Sequence, residues 1–518
     1  MKNVISKYFL PIIICLSAIL ALFRFNSLQI GTSYDDAHYI ILAESLANGE
    51  GYKLINFPRP QLERAFPPGF PLLLMPLTFL FPNNYSVLKL FSLVLWLASI
   101  YLIYKLFSKR LSSPYLEILM TLVALNPLLI GTSVTVMSES AYLFFSLLAL
   151  YLFDSVSHSF NITTSSNEKS GYKPDLRIIF ISILIFYTQL IRTIGIALFI
   201  AFILYLLFTR RFRETTIPIG IFLIGTLIQR FITGSLISTG YQSQVFNSSI
   251  AEKIGQMWSN TLGYFNETLA GSLIPIFGTR FTSFLSNYNL QFLPMVLNII
   301  ILLIILFGFI LSIKKKSLLD FYFIIYVFGI LAFWNPSVGS VKARFLIPVL
   351  PFLYFYFLNG LNFFIQKISR SNSRFAIRSS VALAILLSIP LLARNIQDIQ
   401  NPVRNQITDL SIGASWVAEN TPADSIVMVN EPVPTYPHVQ RKTINFPKQG
   451  QDLIKYLDNQ GIDYIIISPL LQSPRSLDLN LFTANEVLPT LQSFPEKFII
   501  VYENDEYNVI VYQYNDEN

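Results

Sequence analysis

The chain has 518 residues, of which 53% are hydrophobic and only 13% charged, where a soluble globular protein carries about 25% charged residues. That balance excludes a soluble enzyme, and recurring apolar runs about long enough to cross a bilayer make this a polytopic membrane protein. The formal net charge of +7 falls in short clusters between those runs, so it marks cytoplasmic loops and no nucleic-acid stripe.

Lys2 and Lys7 precede the first run, Tyr8–Leu28, and no small-residue cleavage site follows, so the segment reads as a retained helix. Cys15, the one cysteine, lies inside it, which excludes disulfides and thiolate metal sites. Directly afterwards comes Ser33-Tyr-Asp-Asp-Ala-His-Tyr39. Asp35, Asp36 and His38 at the mouth of a membrane helix are expensive near lipid, which points to function. Helical spacing over Ala37–Leu46 places Tyr39, Leu42, Ala43 and Leu46 on one face, with the acids near the N-terminus, where negative charge is favoured. A helix cap accounts for one Asp and leaves the other, His38 and two tyrosines unexplained. The same loop, residues 29–80, holds Gly49-Glu-Gly-Tyr52, Arg64 and Pro67-Pro-Gly-Phe-Pro71. Phe70–Phe81 is apolar but short and contains Pro71 and Pro76, so an interfacial or re-entrant helix is expected.

Further spans are predicted over Tyr85–Phe107, Tyr115–Ile130, Ala141–Val156, Leu176–Leu190, Ile194–Phe208 and Ile217–Thr233. Phe292–Ile313, Leu318–Trp334, Phe345–Phe364 and Ala376–Ala393 complete about eleven transmembrane helices. Basic clusters at Lys105/Lys109/Arg110, Lys169/Lys173/Arg177, Arg210/Arg211/Arg213, Lys314–Lys316 and Lys367/Arg370/Arg374/Arg378 occupy alternate loops. The N-terminus is therefore expected in the cytoplasm, with the intervening loops and the C-terminal tail outside. The outside loops carry Glu139, Arg192, and Lys342 with Arg344. In the large loop 234–290, Ile250, Ile254, Met257, Trp258, Leu262, Phe265 and Leu269 recur at the spacing of a helix lying in the membrane interface. Such a helix suits a lid over a lipid-facing site and surface packing equally.

Residues 1–394 thus form a membrane domain and 395–518 a small soluble α/β domain. In the latter, Ile412, Trp416 and Val417 mark one helix, and Leu453, Ile454 and Leu457 another. Ser425–Asn430, Asp463–Ser468, Phe498–Tyr502 and Asn508–Tyr514 read as strands, the last two as a hairpin. It contains no nucleophile elbow, phosphate loop or metal-ligand spacing, so its default role is to cap and stabilise the membrane part.

Across the outside face, carboxylates (Asp35, Asp36, Glu139) and cations (Arg64, Arg192, Lys342, Arg344) ring the bundle. Any single base near a span end often only snorkels to the interface. The combination suits holding a phosphate-bearing group beside a general base. Arg344 would bind phosphate through paired hydrogen bonds and Lys342 as a point charge. Two facing carboxylates, such as Asp35 and Glu139, would also suit glycoside hydrolysis, though nothing in the sequence demands an acid for the leaving group. Asn-x-Ser/Thr triplets, as at Asn247 and Asn266, are unspecific. A transporter would place its polar residues at mid-membrane, where this chain has almost none. A non-catalytic envelope scaffold would not need both charge signs on one face.

Asp35-Asp-Ala-His-Tyr39, Ala43-Glu-Ser-Leu46 and Gly49-Glu-Gly-Tyr52 together resemble the first-loop signature of the GT-C membrane glycosyltransferases. The resemblance is to the branch of protein O-mannosyltransferases and lipid A aminoarabinose transferases. Pro67-Pro-Gly-Phe-Pro71, Asn126-Pro127, Met137-Ser-Glu139, Arg192, Arg344-Phe-Leu-Ile-Pro348 and Trp416-Val-Ala-Glu-Asn-Thr-Pro422 are similar to further elements of that branch. Its usual Asp-Glu is Asp-Asp here. The resemblance implies a polytopic GT-C fold that transfers a sugar, with inversion, from a polyprenyl-phosphate donor to a lipid, glycan or protein acceptor outside the cytoplasm. It implies Asp35 as the base, with Asp36 beside it. Arg344, Lys342, Arg192 and Arg64 would hold donor phosphate. Asp36, Glu139 and His38 would contact the acceptor, or a divalent metal ion in those relatives that use one.

Overall fold

The computed structural model describes residues 2–26, 29–163, 176–233, 249–275, 292–334, 341–368, 373–401, 408–448, 450–468 and 482–515. Lys169, Lys173, Arg370 and Asn247 lie outside the described residues.

Every apolar run read as a span is helical. The membrane part contains α1 (Lys2–Phe23), α2 (Asp35–Ala47), α3 (Gly69–Leu80), α4 (Tyr85–Phe107), α5 (Tyr115–Ala124), α6 (Pro127–Ser133) and α7 (Ser138–Thr163). These are followed by α8 (Leu176–Ile191), α9 (Ile196–Phe208), α10 (Phe212–Thr233), α11 (Ile250–Gly263) and α12 (Leu269–Leu273). Next come α13 (Phe292–Ile313), α14 (Leu318–Phe333), α15 (Leu350–Ile368) and α16 (Ser373–Gln400). Among the described residues five helices are long and apolar enough to cross a membrane, or six if the bent pair α5–α6 is one span. The chain is a multi-pass membrane protein. The expected count of about eleven spans is therefore met only in part. Several of the others, α8 and α14 among them, are apolar but only 10–17 residues long.

The bend between α5 and α6 is 50° and has a local cause. Asn126 interrupts the run, and its Oδ1 accepts from the amides of Leu128 and Leu129 while Pro127 opens the next helix. Its Nδ2 donates to Ser272 O at 2.8 Å and to the Tyr354 hydroxyl at 3.0 Å, tying the bend to two other segments. The helices α13 and α15 approach closely because Gly308 faces the backbone of Tyr356, leaving no room for a Cβ. Large apolar side chains such as Val94, Leu223, Leu303 and Leu386 remain exposed on the bundle, as lipid-facing positions should.

The helix α16 runs through Arg394, the boundary expected from sequence, to Gln400. Beyond it lie α17 (Thr408–Asn420), α18 (Pro432–Val439), α19 (Leu453–Gln460), α20 (Leu488–Ser493) and a five-stranded sheet. After the short first-loop hairpin of β1 (Lys53–Leu54) and β2 (Gln61–Leu62), its strands are β3 (Ile426–Met428), β4 (Lys442–Ile444), β5 (Tyr464–Ile467), β6 (Phe498–Asn504) and β7 (Val509–Tyr514). Their order is β4-β3-β5-β7-β6, with β3 parallel to β4 and β5, and β7 antiparallel to β5 and β6. Every residue of β5 is buried, as its unbroken apolar run requires of an interior strand. Alternate residues feed two cores, Ile465 and Ile467 on one face and Tyr464 and Ile466 on the other. The expected α/β tail is present, with β4, α18 and α20 as elements the sequence pattern missed.

Candidate active site

Helix α2 begins at Asp35, as the sequence pattern expects, and its first turn holds both acids. It packs against α3 through Tyr39, Ile40, Ala43, Phe70 and Leu74, and against the first loop and the tail helix α18 through a cluster of Ala37, Ile41, Leu42, Tyr52, Leu54, Ile55 and Val433. Three other segments bring polar residues to its N-terminal end. Helix α7 opens with Ser138 and Glu139. Arg192 stands in extended conformation ahead of the 3-10 turn Thr193–Gly195 that separates α8 from α9. Arg344 lies in the 3-10 stretch Ala343–Val349, anchored by the Tyr326 hydroxyl donating to Phe345 O at 2.9 Å.

These residues form a network of alternating charge. Arg344 Nη1 pairs with Asp35 Oδ2 at 2.8 Å, and its Nε lies 3.9 Å from Glu139 Oε1. Arg192 Nη1 pairs with the same Glu139 oxygen at 2.7 Å and donates to Ser138 Oγ at 3.0 Å. Ser138 Oγ lies 3.0 Å from the Tyr39 hydroxyl, and Tyr39 is one turn below Asp35 on α2, so the network closes on its own helix. Both guanidinium groups face the Phe345 ring, at 5.5 Å for Arg344 and 5.9 Å for Arg192. Glu139 is 1% exposed, whereas the Arg344 and Asp35 side chains are 34% and 24% exposed. The buried pair forms the floor and the half-open pair the mouth.

Asp36 points elsewhere. Its Oδ2 accepts from Gly31 N at 3.0 Å and its Oδ1 from Ala37 N at 2.9 Å. Burial pushes its pKa up to about 6, the two amides opposing that shift and Asp35 adding to it. His38 stacks on Phe66 at 4.5 Å, with Nδ1 3.2 Å from Tyr34 O. Burial lowers its pKa against the raising effect of the Tyr34 carbonyl, Glu63 and Asp35. Arg64 and Lys342 are exposed and have no ion-pair partner among the described residues.

The structure thus brings Asp35, Glu139, Arg192 and Arg344 together and leaves Asp36, His38, Arg64 and Lys342 outside that network. It adds Ser138, Tyr39 and Phe345, to which sequence reasoning gave no role in the site. The four-residue step from Asp35 to Tyr39 and the Ser138-Glu139 adjacency were the signals available. A metal is poorly served by the side chains proposed to hold one. Asp36 already accepts two amides, and Glu139 faces a guanidinium. No group of three or more His, Cys, Asp or Glu side chains assembles among the described residues.

No family model matches the chain, and no curated protein matches its sequence. Solved structures do match. AglB, the archaeal oligosaccharyltransferase from Archaeoglobus fulgidus in complex with an inhibitory peptide and a dolichol-phosphate, superposes with a TM-score of 0.59 at 12% identity, over 99% of this chain and 75% of that one. The likeness is one of fold, the GT-C fold. ArnT from Cupriavidus metallidurans bound to undecaprenyl phosphate has the same GT-C fold, with a TM-score of 0.55 at 12% identity over 98% of both chains. The match to ArnT runs end to end, so the GT-C likeness takes in both the membrane bundle and the tail.

Proposed function

We propose that the chain transfers a sugar from a polyprenyl-phosphate donor to an acceptor hydroxyl, with inversion, on the extracytoplasmic face, and that residues 1–394 and 395–518 act there as catalytic and accessory parts. The observation that carries this reading is the Asp35–Arg344 pair at 2.8 Å, backed by Glu139–Arg192 at 2.7 Å, at the mouth of the bundle. The two similar structures named above were solved with dolichol-phosphate and with undecaprenyl phosphate. The orientation rests on the alternation of basic clusters between spans.

In this reading Asp35 takes the proton of the acceptor hydroxyl as its oxygen bonds to the anomeric carbon. The bond from that carbon to the phosphate oxygen breaks on the opposite face, and polyprenyl phosphate departs with the electron pair. A phosphate leaves without protonation, so no general acid is required. Arg344 holds the departing phosphate by paired hydrogen bonds, with Lys342 adding a positive charge. Two carboxylates and two guanidinium groups make the resting network neutral, so an incoming phosphate competes with a carboxylate for Arg344. Asp35 is the exposed one. Donor phosphate on Arg344 therefore frees Asp35 to act as a base, which orders donor before acceptor. No step passes through a metal.

The test is incubation of the purified protein with a panel of labelled polyprenyl-phosphate sugars and membrane extract as acceptor source. Transfer of label from one of them supports the reading. Failure with every donor, in protein that also binds no polyprenyl monophosphate, overturns it.

A further inference from the structure

The segment ahead of Asp35 is held from the tail domain. In Pro432-Val-Pro-Thr-Tyr-Pro-His438, the first two prolines fall in the first turn of α18, where no amide is needed for the helix. The helix sets Val433 into the core of α2. Beside it, the Thr443 amide of edge strand β4 donates to Asn56 O at 2.7 Å and Lys442 Nζ to Ile55 O at 2.6 Å, which ties down the first loop. At the end of α18, His438 Nε2 lies 2.9 Å from Ile30 O. A carbonyl only accepts, so the ring carries its proton on Nε2. Burial lowers the His438 pKa, against the hydrogen bond to Ile30, and Lys89 lowers it further, so the neutral tautomer fits the contact.

From Ile30 the chain reaches the base in five residues. Gly31 has φ +91°, and a Cβ there would lie 2.8 Å from Pro434 O, so the close approach to the tail requires glycine. The Gly31 amide donates to Asp36, and its carbonyl accepts from the Tyr34 amide at 2.9 Å. Tyr34, the residue before Asp35, has φ +61°, a left-handed conformation that a bulky residue keeps only where its surroundings over-determine it. The tail contact on Ile30 is one of those constraints.

We infer that His438 is a positioning residue for Asp35: through its hydrogen bond to Ile30 O it fixes the 30–34 turn and so aims the base. The inference rests on the function proposed above, and it makes the tail domain part of the active site. It predicts a loss in turnover without a loss in donor binding, since Arg344 and Glu139 are held by other segments. Misplacing a catalytic group by about 1 Å costs up to roughly 100-fold, so His438→Ala should lower kcat by about 10- to 100-fold. Donor KM should stay within about twofold. His438→Gln, whose amide can reach Ile30 O, should regain most of kcat, and the shorter His438→Asn should not. Hydrogen exchange at residues 30–36 should rise in His438→Ala and return towards normal in His438→Gln.

The assay uses full-length detergent-solubilised protein with the labelled donor found above. Wild-type kcat in His438→Ala overturns the inference, as do equal kcat values in the Gln and Asn variants. If His438→Ala does not fold, the Gln and Asn pair decides alone. A wild-type protein inactive with every donor and binding no polyprenyl monophosphate defeats the function proposed, and exchange at residues 30–36 then still reads the positioning.

Discussion

At the end of α1, Arg24 donates from Nη1 to Pro127 O at 2.8 Å and to Asn395 Oδ1 at 3.0 Å, and pairs through Nη2 with Asp398 at 3.0 Å. Asn395 in turn donates to the carbonyls of Leu125 and Leu391, and Arg394 is a second partner for Asp398. The Asp35 network uses the same chemistry differently. Arg24 is 8% exposed, whereas Arg344 is 34% exposed and offers part of its guanidinium to whatever enters the mouth. A cluster that closes on backbone and side chains alike ties α1, α6 and α16 together. A cluster with an open edge is suited to exchanging partners. Burial of a charge is therefore a poor sign of function by itself, and an accessible edge on a paired charge is the better one.

The sharpest way to break this contrast is Asp35→Asn, which keeps the shape but cannot accept a proton. Turnover should fall by about 10²–10⁴-fold. Polyprenyl monophosphate should bind several-fold more tightly, because its competitor for Arg344 has gone. Equal or weaker binding in this variant would reject the exchange of partners at Arg344, and near-normal turnover would reject Asp35 as the base. On the closed side, Arg24→Ala leaves Asp398 with Arg394 alone and takes the donor from Pro127 O and Asn395 Oδ1, which should destabilise the fold by roughly 1–3 kcal/mol. The fraction that folds should bind monophosphate as the wild type does. A variant that melts normally but loses donor binding would place Arg24 in the site. Arg344→Lys gives a smaller effect, a loss of donor affinity of about tenfold from forfeited paired hydrogen bonds, with an unchanged melting temperature. Unchanged affinity would return Arg344 to the role of an interface anchor.

The spans, α2, the short apolar helix α3 and most of the tail were legible because each has a local period or an unbroken apolar run. Helix α18 was not, since three prolines in seven residues read as a loop. Pro432 and Pro434 are tolerated only because they fall where the helix makes no amide bonds. The two-residue and three-residue strands β1 and β4 are too short to carry a period. At the site, residue types near span ends pointed to Asp35, Glu139, Arg192 and Arg344, but pairing across more than 300 residues has no local signature. Arg24 was absorbed into the first apolar run for the same reason, its partner Asp398 being far along the chain. Asp35 and Asp36 could not be told apart from sequence beyond the roughly 100° that separates neighbours on a helix.

That last pair gives the smallest expected effect and the finest test of the contrast between open and closed polar groups. Asp36 is the closed one, 3% exposed and bound by the amides of Gly31 and Ala37. Burial raises its pKa from 3.8 to about 6, so the fold prefers the protonated acid. Its stabilising contribution is then complete below pH about 4 and is lost as pH rises through about 6. At pH 7 the ionised group opposes folding by roughly 3 kcal/mol. Asp36→Asn removes that charge but turns an amide nitrogen towards one of the two backbone donors, a mismatch of about 1–3 kcal/mol. The two effects nearly cancel, so at pH 7 stability should change by no more than about 2 kcal/mol. Lowering the pH to 5 protonates Asp36 in the wild type, and the variant should then become the less stable protein. Its turnover should fall far less than that of Asp35→Asn. Thermal melts at pH 5 and pH 7, with turnover at pH 7, make the measurement. A turnover loss equal to that of Asp35→Asn would put Asp36 in the chemistry and dissolve the distinction between the two neighbours.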